Sequence, residues 1–325
     1  MPGLLTPVTF LAHDDVRQVV WSPAGDRFVV GDATKLAIYG RDGALVVERA
    51  LESSGVKPFV FGITWSPDGA QLATAEYGPL RLRRADDLSV IATNEGLGIG
   101  PVAFCERGTA LACGPNDRCL HVAEVPSLAD RGSLKLEWGG PYQSFDIDHV
   151  VADPDGTFVA ASDYGGYSDD DWGHTAERGI PKLTIVDARE PTKAVHELTQ
   201  SQPITELVLD RWRRRLLVGN YARIVVRGLD AAQLAEWSPY GKTTVKAIAV
   251  CERYVATMPD ITWGAHPSVE LWDPTSYDRL GSAPVMEGVD RMVLLGALAW
   301  AAEPSPDGAR LAVVEHGGVR LYAVA

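Results

Sequence analysis

Disulfide scaffolding is absent from this chain. Its four cysteines, Cys105, Cys113, Cys119 and Cys251, are too few and too scattered for one, and no CxxC pair suggests zinc or redox chemistry. Reduced, mostly buried thiols are expected, with a Cys113–Cys119 bridge across a hairpin as the alternative. Excess positive charge is also missing. Forty-three acidic against thirty basic residues give a formal net charge of -13, which repels phosphate backbones and anionic headgroups, so neither nucleic acid nor a membrane is an expected partner. Long apolar runs are lacking: Met292 to Ala302 is too short to cross a bilayer and ends in Glu303 and Pro304. The first residues carry no basic segment followed by an apolar one, and they reach Asp14 and Asp15 quickly, so no secretion signal is read and a cytoplasmic protein is expected. Helix-length amphipathic segments and low-complexity tracts are missing as well. What remains, 46% hydrophobic and 22% charged, suits a soluble globular chain with a large core.

A turn tetrad recurs along that chain. Copies stand at Ser22-Pro23-Ala24-Gly25, Ser66-Pro67-Asp68-Gly69, Asp153-Pro154-Asp155-Gly156 and Ser305-Pro306-Asp307-Gly308, with Cys105-Glu106-Arg107-Gly108 as a degenerate fifth. Proline presets φ for a tight turn, aspartate bonds its own backbone, and glycine accepts the positive φ of the reversal. Each copy lies between two short strands, as in Gln18–Trp21 and Arg27–Val30, and in three of them the first is apolar and ends in Trp or Phe. A third strand follows after a short polar turn, for example Leu36–Tyr39 or Val319–Tyr322. Two weaker units, Pro203 to Tyr240 and Thr244 to Val285, bring the count to seven, about 46 residues each. Expected starts fall near residues 16, 58, 100, 144, 202, 244 and 289.

Leu11-Ala12-His13 followed by Val16 to Pro23 is similar to the Gly-His and inner-strand pattern of the WD40 family, and Leu271-Trp272-Asp273 matches its signature dipeptide. Ile185-Val186-Asp187 is a relaxed copy. The resemblance implies an all-β fold, a seven-bladed β-propeller of four-stranded antiparallel blades occupying residues 1–325 as a single domain. Ring closure is expected from residues 7–11, which precede the first inner strand, because the chain ends one strand short of a complete last blade.

Several side chains are candidates for function. Asp148 and His149, with Asp146 and Glu206, fall on inner strands and do not repeat between blades, so a structural role is favoured over a channel site. Every motif serine has a turn role, and no Ser-His-Asp arrangement is read. The acidic residues opening the turn between second and third strands, Asp32, Glu76, Asp163, Asp260 and Glu315, with Asn220 in the same place, are expected to stabilise that turn. The basic cluster Arg211-Trp212-Arg213-Arg214-Arg215 would grip a phosphate or an acidic segment, or else be a solvated turn covering apolar surface.

Two insertions break the repeat between second and third strands. Blade four carries Tyr164, Tyr167, Asp169, Asp170, Asp171, Trp172 and His174; blade six carries Trp263 and His266. They should flank the short turn of blade five that contains Tyr221. Long loops rich in Tyr and Trp suit binding. Asp169 to Asp171 lack the alternating oxygen ligands and closing glutamate of a calcium loop, so no metal and no cofactor is expected. The resulting expectation is a noncatalytic scaffold holding a protein or peptide on the insertion-bearing face. The alternative is a propeller enzyme, or a small-molecule or metal binder, with its site at the channel mouth.

Overall fold

The protein is described from a computed structural model at residues 5–13, 15–52, 59–115, 117–136, 147–162, 181–202, 204–259, 268–284, 302–315 and 317–325. Seven four-stranded antiparallel sheets form a ring, a seven-bladed β-propeller. Blade one comprises β2 (Gln18–Trp21), β3 (Arg27–Gly31), β4 (Lys35–Gly40) and β5 (Leu45–Ala50), paired in chain order from channel to rim. Blades two to six repeat this order. Their inner strands are β6 (Val60–Trp65), β10 (Val102–Cys105), β14 (His149–Ala152), β18 (Ile204–Asp210) and β22 (Val245–Val250). Blade seven is composite: β26 (Ala302–Pro304), β27 (Arg310–Glu315) and β28 (Gly318–Val324) are completed on the rim by β1 (Leu5–Ala12). The β1–β28 register runs from Leu5 opposite Val324 to Ala12 opposite Gly318, so the N-terminal strand closes the ring.

Burial explains the strand sequences. Second strands such as Ala110–Cys113 and Arg215–Asn220 are buried throughout, because each blade is sandwiched between two others. Rim strands such as Leu45–Ala50 are mostly exposed. Seven apolar clusters are found among the described residues, and each joins neighbouring blades. The one closing the circle packs Trp21, Phe28 and Tyr39 of blade one against Val314, Val319 and Leu321 of blade seven. At about 25 cal/mol per Å² of apolar area removed from water, these sandwiched strands carry most of the stability.

The three Ser-Pro tetrads behave as their residue types require, whereas Gly156 of the Asp153 copy does not adopt a positive φ. Gly25, Gly69 and Gly308 adopt φ of +68°, +70° and +68°, a region that costs other residues strain. Ser66 Oγ donates to Asp68 at 2.6 Å and accepts the Gln71 amide at 2.9 Å, and Ser305 does the same with Asp307 and Arg310 at 2.7 and 2.9 Å. The serines are thus committed to turns. All four cysteines are free; Cys113 stands opposite His121 across the hairpin, so Cys119 is not its cross-strand partner. Burial pushes the Cys105 and Cys251 thiols up to about 12 and about 11, which keeps them inert.

Candidate functional site

An up-and-down blade sends its second-to-third turns and its connections to the next blade to one face of the ring, here called the upper face. The tetrads lie on the lower face. Strand ends at Ser162 and Lys182 in blade four, and at Pro259 and Ser268 in blade six, bracket the two insertions. Tyr164, Tyr167, Asp169, Asp170, Asp171, Trp172, His174, Trp263 and His266 themselves lie outside the described residues, as do Asp146, Asp163 and Asp260. Tyr221 is described: it turns at φ +50°, and its carbonyl accepts the Val245 amide at 2.7 Å, tying blade five to blade six.

On the same face, at the channel mouth, the inner strands of blades two, five and six each slip register at one residue. The slips fall between Val60 and Gly62, Ile204 and Glu206, and Val245 and Ala247. A bulge of this kind re-aims the extra side chain. It sets Phe61 39% exposed, and Lys246 is likewise exposed. Phe61 belongs to an aromatic row. Its ring lies 4.5 Å from Phe59 and 6.3 Å from Tyr77, the Arg17 guanidinium sits 4.4 Å over Phe59, and Tyr77 is 47% exposed. Asp15 pairs with Arg17 at 2.6 Å. The sequence reading did not single out this row, although the alternation of Phe59 and Phe61 opposite Tyr77 was there to see.

The channel holds a cavity of about 480 Å³ lined by inner-strand residues and by tetrad prolines. On one wall His149 Nδ1 lies 4.0 Å from Glu206 Oε1, with Asp148 alongside. Burial disfavours the imidazolium more than the Ile204 backbone contact favours it, lowering the His149 pKa to about 4, so the ring is neutral near pH 7. The structure therefore brings Asp148, His149 and Glu206 together across blades four and five.

The arginine cluster is divided between fastening and the channel. Asp210, fully buried, receives Arg215 Nε at 2.9 Å and Arg213 at 3.3 Å; Arg213 also reaches the Cys251 and Glu252 carbonyls, and Arg215 reaches Tyr277 and the Pro274 carbonyl. These bonds tie blade five to blade six. Arg214 crosses to Asp153 of blade four at 3.4 Å. Arg211 stacks over Trp212 at 4.6 Å, and both line the lower channel.

Behind the upper face, polar side chains pin the blades. In blade one His13 bridges Asp32 (3.0 Å) and Tyr39 (2.7 Å), while the other Asp32 oxygen accepts the Thr34 and Lys35 amides. Burial pushes the Asp32 carboxyl up, but His13 and the two amides outweigh it and hold the group below its ordinary value. Asp32 thus has the expected turn role. Glu76 differs: its carboxylate takes Arg81, Arg83 and the Thr74 hydroxyl, and Arg83 is 1% exposed. That carboxylate organises an ion cluster inside the blade, a role the sequence reading missed. Asn220 bonds Gln200 at 3.3 Å.

No protein-family model matches the chain, and no curated protein matches its sequence. Solved structures do match its shape. A chain of a mitotic checkpoint complex aligns with a TM-score of 0.74 at 15% identity, covering 98% of this chain and 92% of that one. The β-propeller domain of Myceliophteria thermophila Cps50 (Swd1) aligns with a TM-score of 0.73, also at 15% identity, covering 99% and 100%. These are WD40 propeller structures, so the likeness first carried by the tetrads and by Leu271-Trp272-Asp273 extends, as a likeness of fold, over nearly the whole chain.

Proposed function

We propose that this propeller is a noncatalytic platform that binds a protein or peptide on its upper face, across the blade-four and blade-six insertions and the channel mouth between them. The observation that carries this reading is the row Phe59–Phe61–Tyr77. Monomeric proteins rarely leave aromatic rings clustered in water, and a bulge at Phe61 turns one of them outward at the channel mouth. Aromatic anchors dominate interface energetics because they bury large area at small entropic cost. Trp172 and Trp263 in the insertions would extend the same surface. One structural neighbour comes from a multi-protein complex, which fits a platform role. The net charge of -13 favours a protein partner over nucleic acid, and a cytoplasmic location goes with this reading. No helix among the described residues is long and apolar enough to cross a membrane.

The test is capture from extract of the source cells, with the full chain as bait. Phe61→Ser with Tyr77→Ser, and separately Trp172→Ala with Trp263→Ala, should abolish capture with melting temperature nearly unchanged. Stable variants that still retain the partner place the interface elsewhere. A second reading, a small ligand held in the channel, is favoured by the neutral His149 beside Glu206 in the 480 Å³ cavity. Native mass spectrometry showing a bound molecule that is lost in His149→Gln would support it.

A further inference from the structure

The outer half of blade three carries a donor set that neither the tetrads nor the proposed binding surface uses. Its third strand, β12 (Cys119–Glu124), starts just after a turn containing Asp117. Side chains alternate along an extended chain, so Cys119 and His121 project to one side, and the turn through Arg118, at φ +66°, brings Asp117 beside them. One donor atom from each falls within 4.8 Å of the other two. Asp117 Oδ2 is 2.9 Å from His121 Nε2, while its Oδ1 accepts the Cys119 amide at 2.8 Å, which fixes the carboxylate. On the far side of the ring, Asp130 Oδ2 lies 3.1 Å from His121 Nδ1. Asp130 belongs to the rim strand β13 (Asp130–Lys135).

A hydrogen-bonded surface histidine is the plain account of two of these groups, and it leaves Cys119 with only a long contact from its thiol to the Asp117 carbonyl at 3.7 Å. Cys119 is the one cysteine of the four that is not buried. With a metal bound, the Asp130 carboxylate behind Nδ1 would hold that nitrogen protonated and free Nε2 for the ion, the arrangement by which metal-binding histidines are oriented. Tetrahedral zinc, with bonds of about 2.0–2.3 Å, wants donor atoms roughly 3.2–3.8 Å apart, which small side-chain rotations reach from the present spacing. Thiolate, imidazole and carboxylate together suit zinc and disfavour calcium or magnesium, which prefer oxygen alone.

We propose that Asp117, Cys119 and His121 bind a zinc ion, with Asp130 as the positioning residue that orients His121 and the fourth coordination place open to water or to a partner's side chain. The site stands at the second-to-third turn of blade three, on the upper face toward the rim and apart from the channel, and does not depend on the partner-binding reading. Binding forms Zn–S, Zn–N and Zn–O bonds and releases the Cys119 thiol proton to solvent; nothing is oxidised. Because the ligands of the zinc bind deprotonated, affinity should fall in acid.

The experiment strips the full-length protein with chelator, then titrates zinc against a chromogenic competitor and cobalt by absorbance. One equivalent of zinc should bind, and cobalt should give a thiolate charge-transfer band, which in the folded protein reports Cys119 without any substitution. Cys119→Ser should remove the band, His121→Gln should abolish stoichiometric zinc, and Asp130→Asn should weaken zinc about 10–100-fold at unchanged melting temperature. Failure to bind one equivalent, cobalt binding without the band, or zinc retained by both Cys119→Ser and His121→Gln would each overturn the proposal.

Discussion

Blades one and two place a polar pin at the same point and build it from different chemistry. In blade one the pin crosses between blades: His13 comes directly after β1, the strand that closes blade seven, and its backbone amide donates to Gly317. Its ring then bridges Asp32 and Tyr39. In blade two the pin is mostly internal and ionic, with Glu76 clamped by Arg81 and Arg83 from the adjoining strand β8 (Leu80–Arg84), and Arg81 also reaches Glu52 on the connection from blade one at 3.1 Å. Blade six follows blade one in outline. Tyr240, from the connection leaving blade five, bonds Thr257 Oγ1 at 2.6 Å, and Trp272 Nε1 donates to the same oxygen at 2.8 Å. The fold therefore requires satisfied polar groups behind the second-to-third turn and accepts neutral or charged solutions. The pin of blade one couples blades through a histidine and a carboxylate, whereas the ion cluster of blade two lies within that blade except for the reach of Arg81 to the exposed Glu52.

Removing a member of each pin should separate the two designs. Glu76→Ala strands Arg83, nearly inaccessible, beside Arg81; breaking a buried pair in this way costs about 3–5 kcal/mol. It should give the largest fall in melting temperature. Replacing the whole cluster with apolar residues, Glu76→Leu with Arg81→Leu and Arg83→Met, should recover most of the loss, since desolvation of the ions disappears with them. A fall no larger in Glu76→Ala than in a surface control would show that the ions stay solvated.

His13→Ala should cost less, about 1–3 kcal/mol, because Asp32 keeps its bonds to the Thr34 and Lys35 amides while Tyr39 loses its partner. Its signature is where the loss appears. Hydrogen exchange should accelerate in β1 and β28 as well as in blade one, whereas Glu76→Ala should act first within blade two. Thr257→Val should cost about 1–2 kcal/mol by leaving Tyr240 and Trp272 unsatisfied, with effects split between blades five and six.

The same contrast explains what could be read in advance. Pro23 with Gly25, Pro67 with Gly69 and Pro306 with Gly308 are dictated by backbone geometry, so the turns, and with them the strands and the closing role of residues 7–11, are legible one residue at a time. Pins are legible only where their chemistry matches a known pattern. His13 matches the Gly-His pattern, but Asp32 and Glu76 both look like turn residues in the sequence, because His13, Arg81 and Arg83, which hold them, arrive from other segments. Phe61 looks like any residue opening an apolar inner strand, since nothing local announces the register slip that turns it outward. The spacing Asp117, Cys119, His121 was visible, yet a search for CxxC pairs passes over it because it alternates as a strand does. Arg213 and Arg215 read as a patch because the buried Asp210 and the carbonyls that hold them come from outside the run.

The smallest effect belongs to the seam on the lower face, where Arg41 of blade one meets Asp307 of blade seven at 2.5 Å. Burial pushes the Asp307 carboxyl up, but Arg41, the Ser305 hydroxyl and the Ala309 amide outweigh it and hold the pKa at about 2. A depressed carboxylate contributes stability that is complete above its unfolded value of 3.8 and is lost as pH falls through about 2. The side chains remain 37% and 51% exposed, so solvent screens the pair, and its contribution at neutral pH should be under about 1 kcal/mol. Arg41→Ala should therefore lower the melting temperature by about 2 °C or less at pH 7. That difference should shrink at high salt and as pH falls below about 4, and vanish only below about pH 2, where Asp307 is protonated in both proteins. The loss in His13→Ala should survive salt, because its pin is buried and screened far less. If Arg41→Ala instead destabilises as much as His13→Ala, the ring is fastened at this outer pair, and the polar pin of blade one is secondary to it.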